Sequence, residues 1–350
     1  MKGNKVILAK RELILEQGHR TYSLLRSATF SGEFHLLQAF TYLFKKFGEL
    51  PTAYQDATLK PLLINDIKSL YEMDARLFRQ GICPWSLLVP ESPFQHAKRL
   101  AQIMIAGVGM SRLRKLRQTK TKETAHDVPE YYQRHYHWQQ GGYLTESSAL
   151  LYDHQVEILF KGTGAAMRRL LMGPLHAFLS QQNSSAKILE VGAGTGLAAY
   201  EVHHSFPFHS LTVSELSGPY LKQARSRLNA AGVDFIRADA TALPFGVAEF
   251  DVLYTTFMFH ELPRQVREAA LKEFARVLRP GGLLIIVDSI QQGDVAEYSF
   301  VLEKFPQDYH EPFYKDYSLW PLDDALKRHD FVDISVTRGF FAKCVTGTKA

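Results

Sequence analysis

The chain has 350 residues, 46% of them hydrophobic and 22% charged, with a formal net charge of +5 and a pI near 9.0. That balance is ordinary for a globular protein and excludes a disordered chain or a fibrous repeat, while the length predicts two domains. Cys83 and Cys344 lie far apart without a CxxC partner, which excludes a disulfide framework and a thiolate zinc site and predicts a reducing, cytoplasmic setting.

The opening MKGNKVILAKRELILEQ has only four apolar residues in a row before charge returns, too few for the core of a signal peptide. No window approaches the roughly 18 apolar residues of a membrane span, which leaves only peripheral membrane contact open. Residues 1–130 read as a helical domain. Apolar residues recur at helical spacing in Phe34, Leu36, Leu37, Phe40, Leu43 and Phe44, then in Leu59, Leu62, Leu63, Ile67, Leu70 and Tyr71. A further helix is expected from about 94 to 117, weakened in its middle by Gly107 and Gly109. Arg112, Arg114, Lys115, Arg117, Lys120 and Lys122 fall within eleven residues that hold no acid. Such a run reads as a solvated helix end running into a polar linker, so no nucleic-acid partner is predicted.

Residues 131–180 are expected to form linker and lid helices. Tyr136, His137, Trp138 and Tyr143 crowd together there, followed by Tyr152-Asp153. Aromatic faces suit a cation, and a lid of them would exclude water from a site beneath. His135 and His137 have no carboxylate at metal-ligand spacing, so no metal is expected.

From residue 181 to 350 short strands alternate with helices: 187–191, 210–214, 234–237, 250–254 and 283–288, each rich in β-branched or large apolar residues. This order predicts an α/β fold, a Rossmann-like, doubly wound and mostly parallel seven-stranded sheet. The stretches 331–337 and 340–345, with Gly339 between them, predict an antiparallel C-terminal hairpin. Residues 291–320 form a long insertion between the fifth and sixth strands, and a loop of that length is usually functional. Its His310, Tyr314 and Tyr317 are candidate substrate caps.

The densest motif is ILEVGAGTGLAA, Ile188 to Ala199, in which Gly192, Gly194 and Gly196 alternate through the turn from a strand into a helix. Glycine is needed where backbone turns sharply and approaches a ligand, and such a turn offers N–H groups and a helix N-terminus to a polar cofactor. A dinucleotide fingerprint would put its third glycine at 197, where Leu197 stands. The GxGxG spacing, with Glu190 two residues upstream, resembles the cofactor signature of the class I S-adenosylmethionine-dependent methyltransferases. The resemblance covers about residues 150 to 345 and is dense from 187 to 288. It implies S-adenosylmethionine as cofactor, with Glu190, Gly192, Ala193, Gly194 and Gly196 at the cradle and Thr255 near the reacting centre. Glu215, 19 residues after Gly196 and followed by Leu216, takes the ribose-binding place; Asp239-Ala240 takes the adenine-contacting place. The block FARVLRPGGLLIIVDS matches the family's helix, turn and fifth strand.

After the fourth strand, Thr255-Thr256-Phe257-Met258 stands where base-amine methyltransferases carry Asn/Asp-Pro-Pro-Tyr. Phe259-His260-Glu261-Leu262-Pro263 is similar to the ubiquinone and menaquinone methyltransferases. The implied reaction is metal-independent methyl transfer to carbon or oxygen of a small organic acceptor. Tyr136, His137, Tyr143, Tyr152 and Phe259 are candidate substrate or lid residues, and His260 is the candidate base because imidazole titrates near neutrality. Two alternatives stay open: an RNA or protein methyltransferase recruited through residues 112–122, and a non-catalytic module that only binds the cofactor. The sequence sets neither the acceptor nor the oligomeric state.

Overall fold

The computed structural model describes residues 2–43, 59–89, 92–116, 120, 127–230 and 232–350. Among the described residues three α-helices come first: α1 (Lys2–Leu43), α2 (Lys60–Arg79) and α3 (Pro93–Leu116). Gly107 and Gly109 do not interrupt α3. Pro61 opens α2, where its missing N–H costs nothing. Asp66, Leu70, Asp74, Ala75 and Phe78 then form the buried stripe of that helix. Of the basic run, Lys120 is exposed and pairs with Glu130 at 3.0 Å. Arg117 and Lys122, and the side chains of Arg112, Arg114 and Lys115, lie outside the described residues, as do Phe44 and the side chains of Phe40 and Leu43.

Short 3-10 turns then lead to α4 (Glu146–Leu159), α5 (Gly164–Arg168) and α6 (Met172–Leu179). Thr145 caps α4 by accepting from the Ser148 N–H at 3.2 Å.

The α/β half follows as β1 (Lys187–Val191), α7 (Leu197–Ser205), β2 (Ser210–Glu215), α8 (Gly218–Arg227), β3 (Val233–Arg237) and β4 (Phe250–Thr256). The chain continues through α9 (Arg264–Val277), β5 (Leu278–Ser289), α10 (Ser299–Tyr309), α11 (Tyr314–Ser318), α12 (Leu322–Arg328), β6 (Phe331–Gly339) and β7 (Ala342–Lys349). The strands form one seven-stranded sheet in the order β3-β2-β1-β4-β5-β7-β6. β1 to β5 pair in parallel, whereas β7 runs antiparallel to both β5 and β6. The doubly wound, mostly parallel sheet with a closing hairpin is therefore the observed architecture. The hairpin turns at Phe340, whose φ is +56°, rather than at Gly339, which ends β6. The expected loop 291–320 is largely helical, because α10 and α11 lie within it.

β1 leaves toward β2 on one side and is flanked by β4 on the other. This reversal opens a crevice at the carboxyl ends of the strands, where doubly wound sheets bind ligands. Beneath it the helical elements and the sheet share one apolar core, with Leu70 and Phe78 of α2 in the same cluster as Met167, Ile188, Val252, Ile285 and Cys344. A buried ionic knot crosses the same boundary. Arg169 donates to both oxygens of Asp74 at 2.6 and 2.7 Å and to Glu201 of α7 at 2.7 Å, while His19 of α1 pairs with Asp74 at 3.0 Å. Removing the cation leaves two carboxylates buried without it, which costs far more than an exposed pair would. Arg169→Ala should lower stability by about 3–5 kcal/mol, read as a fall in the urea midpoint; an unmoved midpoint would contradict this role for the knot.

Candidate active site

A cavity of about 270 Å³ opens at the crevice, bounded by the β1–α7 turn, the ends of β2 and β4, the aromatic segment before α4, α4 itself and α10. Gly192, Ala193, Gly194 and Thr195 form one edge. Gly192 and Gly194 sit at φ +69° and +57°, in the left-handed region that glycine enters without strain. A Cβ on Gly192 would lie 2.5 Å from the Met258 sulfur, whereas a Cβ on Gly194 would meet no atom within 4 Å. Space over the turn is thus kept by missing side chains.

Glu215, at the end of β2, fastens this edge. Its Oε2 accepts the Gly194 N–H at 2.8 Å, and its Oε1 accepts the Ser217 N–H at 2.8 Å and the Tyr132 hydroxyl at 3.2 Å. Burial raises the carboxyl above its usual value, and the N–H donors of Ser217 and Gly194 only partly oppose that. Asp153 of α4 fastens the other side of the turn, accepting from the Thr195 hydroxyl at 2.5 Å and from Arg227 of α8 at 2.5 Å.

Two titratable groupings face the middle of the cavity. In the first, the His260 Nδ1 pairs with Asp288 Oδ1 at 2.6 Å, and Asp288 also accepts the N–H groups of Phe259 and Ser289 at 2.7 Å each. Burial pushes the imidazole down, but the Asp288 carboxylate, with Glu261 and Glu311 beyond it, outweighs burial and raises it to about 9. In the second, His137 lies between two carboxylates, with Nε2 3.1 Å from Glu261 and Nδ1 2.8 Å from Glu311. Burial opposes the charged ring, yet both carboxylates together hold His137 well above its usual value. Tyr143 donates to Glu261 at 2.6 Å. His137 adopts φ +53°, a conformation that costs a non-glycine residue energy and recurs at functional sites.

The β1–β5 region, residues 188–282, matches the family model for a methyltransferase domain. The chain carries a methyltransferase domain over those residues. It is similar to the fatty-acid O-methyltransferase of Mycolicibacterium smegmatis, 33% identical over 132 residues, which are 37% of this chain and 47% of that protein. It is also similar to the ubiquinone/menaquinone biosynthesis C-methyltransferase of Desulfotalea psychrophila, 28% identical over 152 residues, 43% of this chain and 58% of that one. The chain spans about half the length of these curated relatives. Among solved structures, human N-acetylserotonin methyltransferase in complex with S-adenosylmethionine has the same fold, with a TM-score of 0.52 at 15% identity, over 75% of this chain and 73% of that one. Three quarters of the chain exceeds the α/β half, so the shared fold reaches into the helical half.

The residues present fit the cofactor of such a domain. The turn leaves open space at Gly194, Glu215 offers carboxylate oxygens, and the small Ala238 and Ala240 leave room on the wall. The structure brings Gly192, Ala193, Gly194, Glu215, Leu216, Ala240, Tyr136, His137, Tyr143, Tyr152, His260 and Tyr314 onto the cavity wall.

Other expected site residues lie elsewhere. Glu190 is fully buried on the strand face it shares with Ile188, while Val191 takes the wall, because side chains alternate along a strand. Gly196 lies off the wall and is required by packing instead: at φ +77° its Cβ would sit 2.8 Å from that of Ala224. Asp239 is occupied in its own turn, accepting from the N–H and hydroxyl of Thr241 at 2.8 and 2.7 Å. Thr255 is buried away from the cavity and Thr256 lines it. Phe259 packs on Phe274 and Trp320. His310 is drawn onto Trp138 with ring centres 4.6 Å apart, and the Tyr317 hydroxyl donates to the Ser289 carbonyl at 2.7 Å. No carboxylate stands at metal-ligand spacing from His137 in the sequence, yet the fold supplies two. Glu261 and Glu311 reach it from segments distant in sequence, which spacing within 135–137 does not reveal.

Tyr132, Asp153, Asp288 and Glu311 were not singled out for the roles they take here. An Asp at the end of β5 facing a His after β4 is the one pair that strand order would have brought together.

Glu215→Ala should weaken S-adenosylmethionine binding about 10- to 100-fold, the scale of losing hydrogen bonds to a charged group, and Gly194→Arg should block it. Calorimetric titration showing wild-type affinity in both variants would contradict this placement.

Proposed function

We propose that the protein transfers the methyl group of S-adenosylmethionine to an oxygen or acidic carbon of a small, largely apolar acceptor. The observation that carries this reading is the His260–Asp288 pair, set in the wall of the cavity whose far edge is the glycine turn and Glu215. The acceptor end is apolar, walled by Leu159, Phe160, Met167, Phe305 and Phe341. The names of the relatives, a fatty-acid O-methyltransferase and a C-methyltransferase of ubiquinone and menaquinone biosynthesis, support acceptors of this kind.

Bound S-adenosylmethionine supplies an electrophilic methyl on a sulfonium and leaves as the neutral thioether. Asp288 holds the His260 Nδ1–H, which leaves Nε2 to take the proton that a hydroxyl or acidic carbon must lose on attack. A hydroxyl or enolic acceptor suits this base better than a carboxylic acid, which is already ionised at neutral pH. The dyad supplies the proton acceptor, so the proposed transfer needs no metal-bound base. Tyr143, whose hydroxyl burial and Glu261 keep protonated, fixes Glu261 beside the base. Otherwise the chain contributes position and dryness: the aromatic segment closes over the crevice, and an in-line displacement is accelerated mainly by holding reactants aligned and away from water.

In the unliganded enzyme His260 is mostly protonated at pH 7, since its imidazole is raised to about 9. The ratio kcat/KM should therefore rise with pH up to about 9. A bound sulfonium, being a like charge, shifts the corresponding limb of kcat lower. The same pairing stabilises the fold fully below pH ~6.5 and fades as the pH climbs through 9. His260→Ala should lower kcat by roughly 10²–10⁴ and erase the rising limb, with S-adenosylmethionine affinity retained. An unchanged turnover number would remove His260 from the mechanism.

A further inference from the structure

The helical half holds a cluster that the methyl-transfer site does not use. Glu33 of α1, His96 of α3 and His154 of α4 converge, each offering one ligand atom, with all three atoms within 4.8 Å of one another. Both histidines present the same nitrogen, Nε2, to opposite oxygens of one carboxylate: His154 lies 2.9 Å from Glu33 Oε2, and His96 contacts Oε1. The rings are 4.5 Å apart. Glu33 and His154 are only 7% and 4% exposed, while His96 keeps an edge toward solvent.

We propose that Glu33, His96 and His154 bind a divalent transition-metal ion of the Zn²⁺ class, which clamps α1 and α3 onto α4. Two imidazole nitrogens and one carboxylate oxygen are a donor set that zinc takes readily, with ligand bonds of about 2.0–2.2 Å. Tetrahedral ligands at that radius stand roughly 3.4 Å apart, so small side-chain adjustments close the site. The Nε2 lone pairs go to the metal, and each ring then carries its proton on Nδ1. Phe30 covers both rings, with centres 5.6 and 5.4 Å away, and Ile103 and Ile158 extend that apolar shell. A shell of this kind limits solvent access to a metal, while the open edge at His96 supplies the entry path and room for a fourth, water ligand. The donors come from three separate helices, so the ion would act as a cross-link. His154 directly follows Tyr152 and Asp153, which line the methyl-transfer cavity, so the clamp would steady that wall. The inference is independent of the proposed transfer reaction.

The test uses the full chain, stripped with a chelator and titrated with Zn²⁺ in competition with a chromophoric indicator. One tight equivalent is expected, with a Tm rise of a few degrees on loading and no response to Mg²⁺. His96→Gln, at the half-exposed position, and Glu33→Gln should each weaken that equivalent beyond the roughly 10–100-fold that loss of an outer-shell partner costs. Circular dichroism checks that both variants are folded. Co²⁺ in place of Zn²⁺ should give a tetrahedral visible spectrum that disappears in His96→Gln. Absence of a tight equivalent would overturn the proposal. So would an equivalent that survives both substitutions, since that reports an adventitious site such as the adjacent His203 and His204.

Discussion

The site depends on one buried carboxylate. Glu215 ends β2, accepts the Gly194 N–H of the β1–α7 turn and is reached by the hydroxyl of Tyr132. A strand, a glycine turn and a segment from outside the sheet therefore meet on two oxygen atoms. The position is costly, because burial disfavours the charged form, and it persists because N–H and O–H donors surround it. Without it the turn would lose the carboxylate that receives the Gly194 N–H, and the aromatic segment would keep the Ser217–Tyr143 bond but lose the one from Tyr132.

The helical half builds a further part of the chamber. α4 brings Asp153 to the opposite side of the glycine turn and Leu159 to the apolar end, and the Trp138 indole donates to the Asp308 carbonyl of α10 at 3.1 Å. The carboxylates around His137 and His260 then divide by environment. Glu261 is held below its usual value because the two histidines outweigh burial, whereas burial and the Glu261 charge raise Glu311. The middle of the cavity is thus a dense set of ionisable groups between a polar edge and an apolar end, an arrangement suited to moving a proton beside a dry methyl transfer.

Features that depend on neighbouring residues were legible in the sequence. The alternating glycines, the acid closing β2 and the strand–helix order each follow from local spacing, and the sheet and hairpin were expected in the form observed. Glu190 and Asp239 show where spacing stops informing. They occupy the right places in the chain, but strand alternation turns Glu190 into the core, and a local turn occupies Asp239. The His137–Glu261–Glu311 group was invisible for another reason: its members come from the segment before α4, the loop after β4 and the end of α10, and only the folded chain joins them. Residues 299–318 read as a loop because their apolar positions are few, and the fold makes them helical by burying Val301 and Leu302, with Phe305 packed beside them, in the core shared by helices and sheet.

Equilibrium dialysis of the purified chain against labelled S-adenosylmethionine tests the central claim most directly. One equivalent bound per chain, displaced by S-adenosylhomocysteine and not by a nicotinamide dinucleotide, is the predicted result. No retention of the label at millimolar concentration would contradict the account.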